Sequence, residues 1–76
     1  MTQFELDKIY TGSGNAFTRT ILITNRTAKT VTYNLIRETL DGREVGIDIA
    51  CEKKARVWVN ADGIETFEIG VVEIHA

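Results

Sequence analysis

Alternation of apolar and polar residues with a period of two runs through most of this chain, and it constrains the fold more than any other feature. In the segment FTRTILIT, Phe17, Ile21 and Ile23 fall on one side and threonines fall on the other. The same spacing recurs at Val31, Tyr33 and Leu35, at Val45, Ile47 and Ile49, at Ala55, Val57 and Val59, at Phe67 and Ile69, and at Val72 and Ile74. A period of two places alternate side chains on opposite faces of a β-strand. The chain is therefore predicted to be all-β.

Turn signals separate these runs and indicate how the strands connect. They are the segments TGSGN, NRTAK, LDGRE and NADG. Asp41-Gly42 and Asp62-Gly63 are strong hairpin signals because glycine adopts positive φ at little cost. Gly70 interrupts the last run, where a bulge or a close backbone approach is expected. The sequence thus predicts one domain, residues 1–76, with six to seven short strands in a small antiparallel barrel (SH3-like) or a compact sandwich.

The segment TGSGN, from Thr11 to Asn15, has the glycine content of a phosphate-binding loop. Such a loop binds the anion with backbone amides at a helix N-terminus, and the Walker version also needs a lysine. Here a strand-like segment, AFTRTILIT, follows, and no lysine lies at the required position. We therefore interpret TGSGN as the turn of a hairpin.

The chain offers few residues for catalysis or metal binding. It has 76 residues, one cysteine and one histidine, His75, close to the C-terminus where side chains are usually mobile. Glu65 with Glu73, or Asp48 with Glu52, could form carboxylate pairs, but solvated surface charges are the simpler interpretation. We expect no catalytic residues, no metal site and no cofactor, and an enzyme is the least favoured class.

No segment approaches the roughly 18 apolar residues that span a membrane. The N-terminal residues MTQFELDK lack the basic, apolar and small-residue order of a signal peptide. We therefore expect a protein of the cytoplasm without a membrane partner.

Charge is distributed unevenly along the chain, although the formal net charge is only −2. Between residues 8 and 37 all charged residues are basic: Lys8, Arg19, Arg26, Lys29 and Arg37. From residue 62 onward all are acidic: Asp62, Glu65, Glu68 and Glu73. Two interpretations remain open. The segments form separate patches that orient a partner, or they pair with each other across neighbouring strands.

Trp58 is the most distinctive single residue, because the alternation points it away from Val57 and Val59 and places it beside Arg56. An exposed Trp–Arg pair is typical of protein-binding hot spots. With Lys53 and Lys54 it would instead stack on an unpaired base. The remaining alternative is that Trp58 fills a second, smaller buried face.

The order of these segments resembles that of short β-rich proteins encoded by bacteriophages and mobile elements. The residues that carry the resemblance are Arg26, Thr27, Lys29, Val31 and Thr32, then Asp62, Gly63, Glu65, Phe67 and Gly70, and finally Ala76. Some such proteins inhibit host defence systems, anti-CRISPR proteins included. The resemblance implies an inhibitor of this type in the host cytoplasm and supplies no catalytic motif.

Three hypotheses follow. The first is a non-enzymatic module that occludes a host protein, with a binding surface formed by Trp58, Arg56, Glu65, Glu68 and Glu73. The second is a small nucleic-acid-binding barrel that uses Lys53, Lys54, Arg56, Trp58, Arg26 and Lys29, although the pI of about 5.3 opposes phosphate binding. The third is a phage accessory protein that self-assembles through an edge strand, because the chain has no proline to protect its edges.

Overall fold

The computed structural model describes residues 1–47 and 51–76 and forms eight β-strands. In chain order they are β1 (Ile9–Gly14), β2 (Phe17–Arg26), β3 (Thr30–Leu40), β4 (Arg43–Glu44), β5 (Glu52–Arg56), β6 (Trp58–Val59), β7 (Glu65–Ile69) and β8 (Val72–His75). These two ranges contain no helix. The all-β class is therefore confirmed, with eight strands rather than six or seven.

The first five strands form one antiparallel sheet built around β3. Strand β3 pairs with β2 on one side, and on the other side with β5 along its first half and with β4 at its end. The β2–β3 register shifts twice, between Thr20 and Ile21 and between Ile23 and Asn25. Irregularities of this kind bend a strand and increase its twist, so they curve the sheet.

The last three strands form a second antiparallel sheet in the order β6-β7-β8. Strands β7 and β8 are joined by Gly70 and Val71, and Gly70 has a φ of 60°. A positive φ at the first of two loop residues is typical of a type II′ hairpin turn, so Gly70 forms a turn and not a bulge. Within the described ranges, hydrogen-bonded ladders run inside each sheet and not between the two sheets. This arrangement fits the predicted sandwich rather than a closed barrel.

The segment TGSGN contributes a strand end as well as a turn. Thr11 to Gly14 belong to β1, and the turn is confined to Asn15 and Ala16, whose φ angles are 52° and 70°. A Cβ atom on Gly12 would overlap the carbonyl oxygen of Glu73 and lie 2.7 Å from the Cδ1 atom of Ile74. The glycine at position 12 is therefore required because β8 packs directly on β1. The hairpin interpretation is therefore confirmed, although the turn itself is shorter than the segment TGSGN.

Two predicted strands differ from the structure. Residues Val45 to Ile47 form no strand, and Ile49 lies outside the described residues. The segment ARVWVN is divided at Val57 between β5 in the first sheet and β6 in the second. The Val57 amide donates to the carbonyl of Lys29 at 2.9 Å, which fixes the point where the chain passes from one sheet to the other.

The core lies between the two sheets and is formed mainly by the faces that the alternation predicted. The buried apolar residues are Phe4, Ile21, Ile23, Val31, Tyr33, Phe67, Val72 and Ile74. Phe4 comes from outside the strands, and its ring contacts those of Tyr10 and Phe67 with centroid separations of 4.9 Å and 5.1 Å. Edge-to-face aromatic contacts of this kind contribute beyond the area they bury.

Backbone hydrogen bonds hold the N-terminal segment, and with it Phe4, against the second sheet. The Thr2 amide donates to the Gly63 carbonyl and the Glu65 amide donates to the Thr2 carbonyl, both at 2.8 Å. Thr2 and Ile64 form an isolated parallel bridge. The segment therefore acts as a short extra strand beside β7.

Candidate functional site

The outward side of the second sheet brings together five side chains of different chemistry. Across the three strands, Trp58 pairs with Thr66, and Thr66 pairs with His75. In the next outward row Glu68 pairs with Glu73. We call these five residues, Trp58, Thr66, Glu68, Glu73 and His75, the Trp58 face.

Trp58 is 41% exposed, which supports the exposed alternative over the buried one. Its strand, β6, has two residues and, within residues 1–47 and 51–76, pairs with β7 alone. Arg56, expected beside it, lies on β5 and pairs with Thr30 in the first sheet. Because the strand break at Val57 places the two residues in different sheets, Arg56 is not part of the Trp58 face.

Thr66 is only 1% exposed although it points outward, because its neighbours in register are the large side chains of Trp58 and His75. Its hydroxyl donates to the Ile64 carbonyl at 3.1 Å and lies 3.1 Å from His75 Nδ1. The other ring nitrogen, Nε2, lies 3.4 Å from Glu73 Oε1. His75 is thus held between a hydroxyl and a carboxylate, and the expectation that it is mobile does not match this arrangement.

Glu68 and Glu73 are both exposed and directly opposite each other on β7 and β8. Within the described ranges, neither carboxylate has a lysine or arginine nitrogen within 4.0 Å, and Glu73 has only His75. Like charges opposite each other on neighbouring strands destabilise a sheet. The pair therefore contributes repulsion to the folded chain and negative charge to the Trp58 face.

Glu65 was predicted to belong to the exposed binding surface. It is instead 3% exposed and points to the inner side of β7. Its carboxylate accepts two hydrogen bonds from Arg26, at 2.7 Å and 2.8 Å. It also accepts the Phe4 amide at 2.9 Å, while Arg26 donates to the Phe4 carbonyl at 2.6 Å. The placement of Glu65 on a binding surface was wrong, because this ion pair anchors the N-terminal segment.

The environment of this ion pair shifts both groups toward their charged forms. The hydrogen bonds from Arg26 lower the pKa of Glu65, the Phe4 amide adds to this effect, and burial opposes it. The hydrogen bond with Glu65 raises the pKa of Arg26. Hydrogen bonds to the ionised form of a carboxyl group favour that form even where desolvation does not. The pair is a structural element that sequence reasoning assigned to binding.

The basic and acidic segments pair with each other in one place and stay separate elsewhere, so each of the two interpretations of the charge distribution holds for part of the chain. Arg26 and Glu65 join the basic segment to the acidic one. Arg19 pairs instead with Glu38 at 2.6 Å and donates to the Ile69 carbonyl. The exposed pair of Arg37 and Glu44, at 2.9 Å, likewise uses an acid from outside the C-terminal segment. Glu68 and Glu73 are left without a lysine or arginine partner from the described residues.

The residues predicted to bind nucleic acid are divided between different parts of the molecule. Lys54 and Arg56 occupy alternate positions on β5, and Lys29 lies at the same end of β3, where its carbonyl accepts the Val57 amide. Lys53 occupies the opposite side of β5 but is exposed. Arg26 is engaged with Glu65 and Phe4. Lys29, Lys54 and Arg56 form no ion pair with the described residues, and they lie on β5 or, for Lys29, directly before β3, the strand with which β5 pairs in the first sheet.

Of the two carboxylate pairs considered for acid–base chemistry, only the pair of Glu65 and Glu73 lies within the described residues, and it is not formed. Glu65 and Glu73 lie on opposite sides of their sheet, and Glu73 pairs with Glu68 instead. Asp48, the proposed partner of Glu52, lies outside the described residues. In residues 1–47 and 51–76 there is also no group of three or more His, Cys, Asp or Glu side chains that could hold a metal ion.

Sequence reasoning missed His75 and Thr66 as members of the site. The signal was present, since the alternation in ETFEI and VEIH places Thr66, Glu68, Glu73 and His75 on the side opposite the apolar residues. The two-residue turn at Gly70 then sets these residues opposite each other. The pairing of Trp58 with Thr66 had no comparable signal, because it depends on the strand break at Val57.

Comparisons with known protein families, with curated proteins and with solved structures found no match for this chain. The described part of the chain contains no helix long and apolar enough to span a membrane.

Proposed function

We propose that this chain is a non-enzymatic module that binds another protein through the Trp58 face. The observation that carries the proposal is the 41% exposure of Trp58 on an ordered sheet surface. Tryptophan is enriched among residues that dominate binding energy, because it buries a large area at low conformational cost. The residues beside it are held in place by the Thr66–His75 hydrogen bond, so the surface is ordered before a partner arrives.

The mechanism that we propose is occlusion of a functional surface on the partner. The Cα atoms span 33 × 27 × 17 Å, which is large enough to cover a groove on a protein of ordinary size. The resemblance to small phage proteins supports choosing host-defence proteins that bind nucleic acid, such as CRISPR effectors, as the first partners to examine. On such a target, the negative charge of Glu68 and Glu73 would occupy a groove that normally binds phosphate.

The test is capture of host proteins on the tagged chain, compared between the native sequence, Trp58→Ala and Ile9→Ala. Ile9 is an apolar residue of the first sheet that is 60% exposed, so Ile9→Ala controls for loss of exposed apolar area away from the Trp58 face. Loss of a hot-spot residue costs about 2 kcal/mol or more, which weakens binding by roughly thirtyfold. We expect Trp58→Ala to lose the captured protein and Ile9→Ala to retain it. The proposal fails when nothing is captured above background, or when both variants capture equally.

Direct binding of nucleic acid is the second candidate, favoured by Lys54 and Arg56 at alternate positions of β5 and by Lys29, whose carbonyl accepts the Val57 amide directly after that strand. Trp58 follows in the chain and could stack on a base. This function predicts that an oligonucleotide quenches the single tryptophan and that the affinity falls steeply with salt. Unchanged fluorescence during a titration at low salt would eliminate it.

Self-assembly through an edge strand is the third candidate. In the described residues β1 pairs only with β2, and the six residues of β1 contain neither a charge nor a proline. Uncharged edges of this kind can pair with another chain. Sedimentation that shows a monomer at high protein concentration would eliminate this candidate.

A further inference from the structure

We propose that the partner of the Trp58 face is a cationic protein segment, with an arginine side chain bound between Glu68 and Glu73 and packed against Trp58. This inference rests on the proposed function, since it names the chemistry of the partner. It depends on three properties of the face: its charge, the position of its tryptophan and the energetic cost of its glutamates.

The charge of the face is negative and uncompensated within the described residues. Glu68 and Glu73 are neighbours across β7 and β8, and among the described residues the one ion-pairing group within 4.0 Å of either carboxylate is the His75 ring, which faces Glu73. The C-terminal segment from Asp62 onward contains no lysine or arginine. A guanidinium group placed between the two carboxylates would donate to both, and charge-assisted hydrogen bonds of this kind are among the stronger polar contacts.

Trp58 lies in the outward row adjacent to the two glutamates. It pairs with Thr66, and Thr66 is two residues from Glu68 along β7. Diagonal neighbours on one face of a sheet are within reach of aromatic and long side chains. A guanidinium group between the glutamates can therefore also contact the indole ring, and arginine is attracted to aromatic faces by its charge and by its planar shape.

Among the described residues, only Glu73 of this pair has a side-chain partner, His75, and that contact does not account for placing a second glutamate, Glu68, opposite it. Two carboxylates opposite each other repel, and Glu68 has no hydrogen-bond or ion-pair partner among the described residues. Residues that reduce stability where function requires them are a common compromise in binding sites. We therefore expect Glu68→Gln to melt at a slightly higher temperature than the native chain while it binds a cationic partner less tightly. A purely structural glutamate would give the opposite change in melting temperature.

The direct test uses the chain itself and a short arginine-rich peptide without aromatic residues. Trp58 is the only tryptophan, so its fluorescence reports on this face alone. A matched peptide with citrulline in place of arginine keeps the shape of the side chain and removes its charge. We expect the arginine peptide, and not the citrulline peptide, to change Trp58 emission. The response should weaken with added salt.

Variants locate the interaction. Because these carboxylates are exposed, Glu68→Gln and Glu73→Gln should each weaken peptide binding by about two- to fivefold. The double variant Glu68→Lys with Glu73→Lys should abolish binding. Glu52→Gln is the matched control, because Glu52 is an exposed glutamate opposite Asn34 on the first sheet, and its binding should equal that of the native chain.

The inference is overturned when the peptide leaves Trp58 emission unchanged, when the citrulline peptide acts equally, or when the glutamine variants bind like the native chain. A response to single-stranded oligonucleotide but not to the arginine peptide also overturns it, in favour of nucleic-acid binding. The same variants separate this inference from the proposed function. If Trp58→Ala loses a captured host protein while Glu68→Gln and Glu73→Gln retain it, the Trp58 face binds a protein, but the inference that this protein is cationic is wrong.

Discussion

Replacement of Arg26 by methionine should destabilise this protein far more than replacement of any exposed arginine. The substitution keeps an unbranched apolar side chain at position 26 and removes the two hydrogen bonds to Glu65 and the one to the Phe4 carbonyl. Glu65, which is 3% exposed, would then remain buried with only the Phe4 amide to stabilise its charge. The N-terminal segment would also lose one of its attachments to the second sheet.

The size of the effect follows from the burial of the two partners. Removal of one member of a buried ion pair costs about 3–5 kcal/mol, because the other charge stays buried. The Arg26 side chain keeps 20% of its surface exposed, so we expect the lower value, about 3 kcal/mol at neutral pH. The free energy of unfolding of a domain of this size is roughly 4–11 kcal/mol. Its melting temperature should therefore fall by roughly 12–24 °C.

The effect should depend on pH in a defined direction. In the native chain the folded state lowers the pKa of Glu65, so its stabilisation is fully present above the unfolded pKa and is lost as the pH falls through the lower folded value. Without Arg26, burial favours the neutral acid, and the pKa of Glu65 should rise above its unfolded value. Protonation of Glu65 then removes the buried, unpaired charge from the variant. The difference in unfolding free energy between the native chain and Arg26→Met should therefore shrink as the pH falls from 7 toward about 4.

The assay is urea unfolding followed by circular dichroism, at neutral and at acidic pH, for the native chain, Arg26→Met and Arg37→Met. Arg37 forms an ion pair with Glu44 of similar length, 2.9 Å, but the two side chains are 62% and 70% exposed. Such surface pairs contribute about 0–1 kcal/mol. Equal losses for the two variants, or a loss at Arg26 that does not change with pH, would refute the account of Glu65 as a buried, paired carboxylate.

Two further predictions concern the backbone. Gly12→Ala should lower the unfolding free energy by at least about 1–3 kcal/mol, the usual cost of overpacking, because the added Cβ atom would overlap the Glu73 carbonyl oxygen. Gly46→Ala is the control and should be almost neutral in the same thermal melt, because no atom lies within 4 Å of its added Cβ atom. Ala16→Gly should raise the unfolding free energy by about 1 kcal/mol, because Ala16 has a φ of 70° that L-residues adopt at a cost. Gly42→Ala should lower the unfolding free energy by a similar amount, because Gly42 has a φ of 80° and open space around it. A lower unfolding free energy for Ala16→Gly than for the native chain would show that this turn is not strained.

Much of the fold was predictable, because it depends on local periodicity. The alternation identified Ile21, Ile23, Val31 and Tyr33 as core residues, and all four are buried. Asp41-Gly42 forms the predicted two-residue hairpin turn between β3 and β4. These features succeed because side-chain direction in a strand and positive φ in a turn are decided by a few adjacent residues.

The candidate site was predictable only in part, because its members come from strands whose pairing is not local. Glu68 and Glu73 were chosen correctly as exposed charges, and the short β7–β8 turn makes them neighbours. The alternation in ETFEI places Glu65 on the inner side with Phe67 and Ile69, and Glu68 on the outer side, but it does not show which partner could hold a buried carboxylate. That partner is Arg26, which is 39 residues away in the chain.

The sequence by itself determined the all-β class, the inward faces of the long strands and the positions of the hairpin turns, because each of these depends on residues that are close together in the chain. The tertiary structure alone decided that Gly12 allows β8 to pack on β1, that Arg26 is the partner of the buried Glu65, and that the chain changes sheets at Val57. Each of these depends on contacts between distant segments, whose partners are selected by the packing of the two sheets and not by local preference.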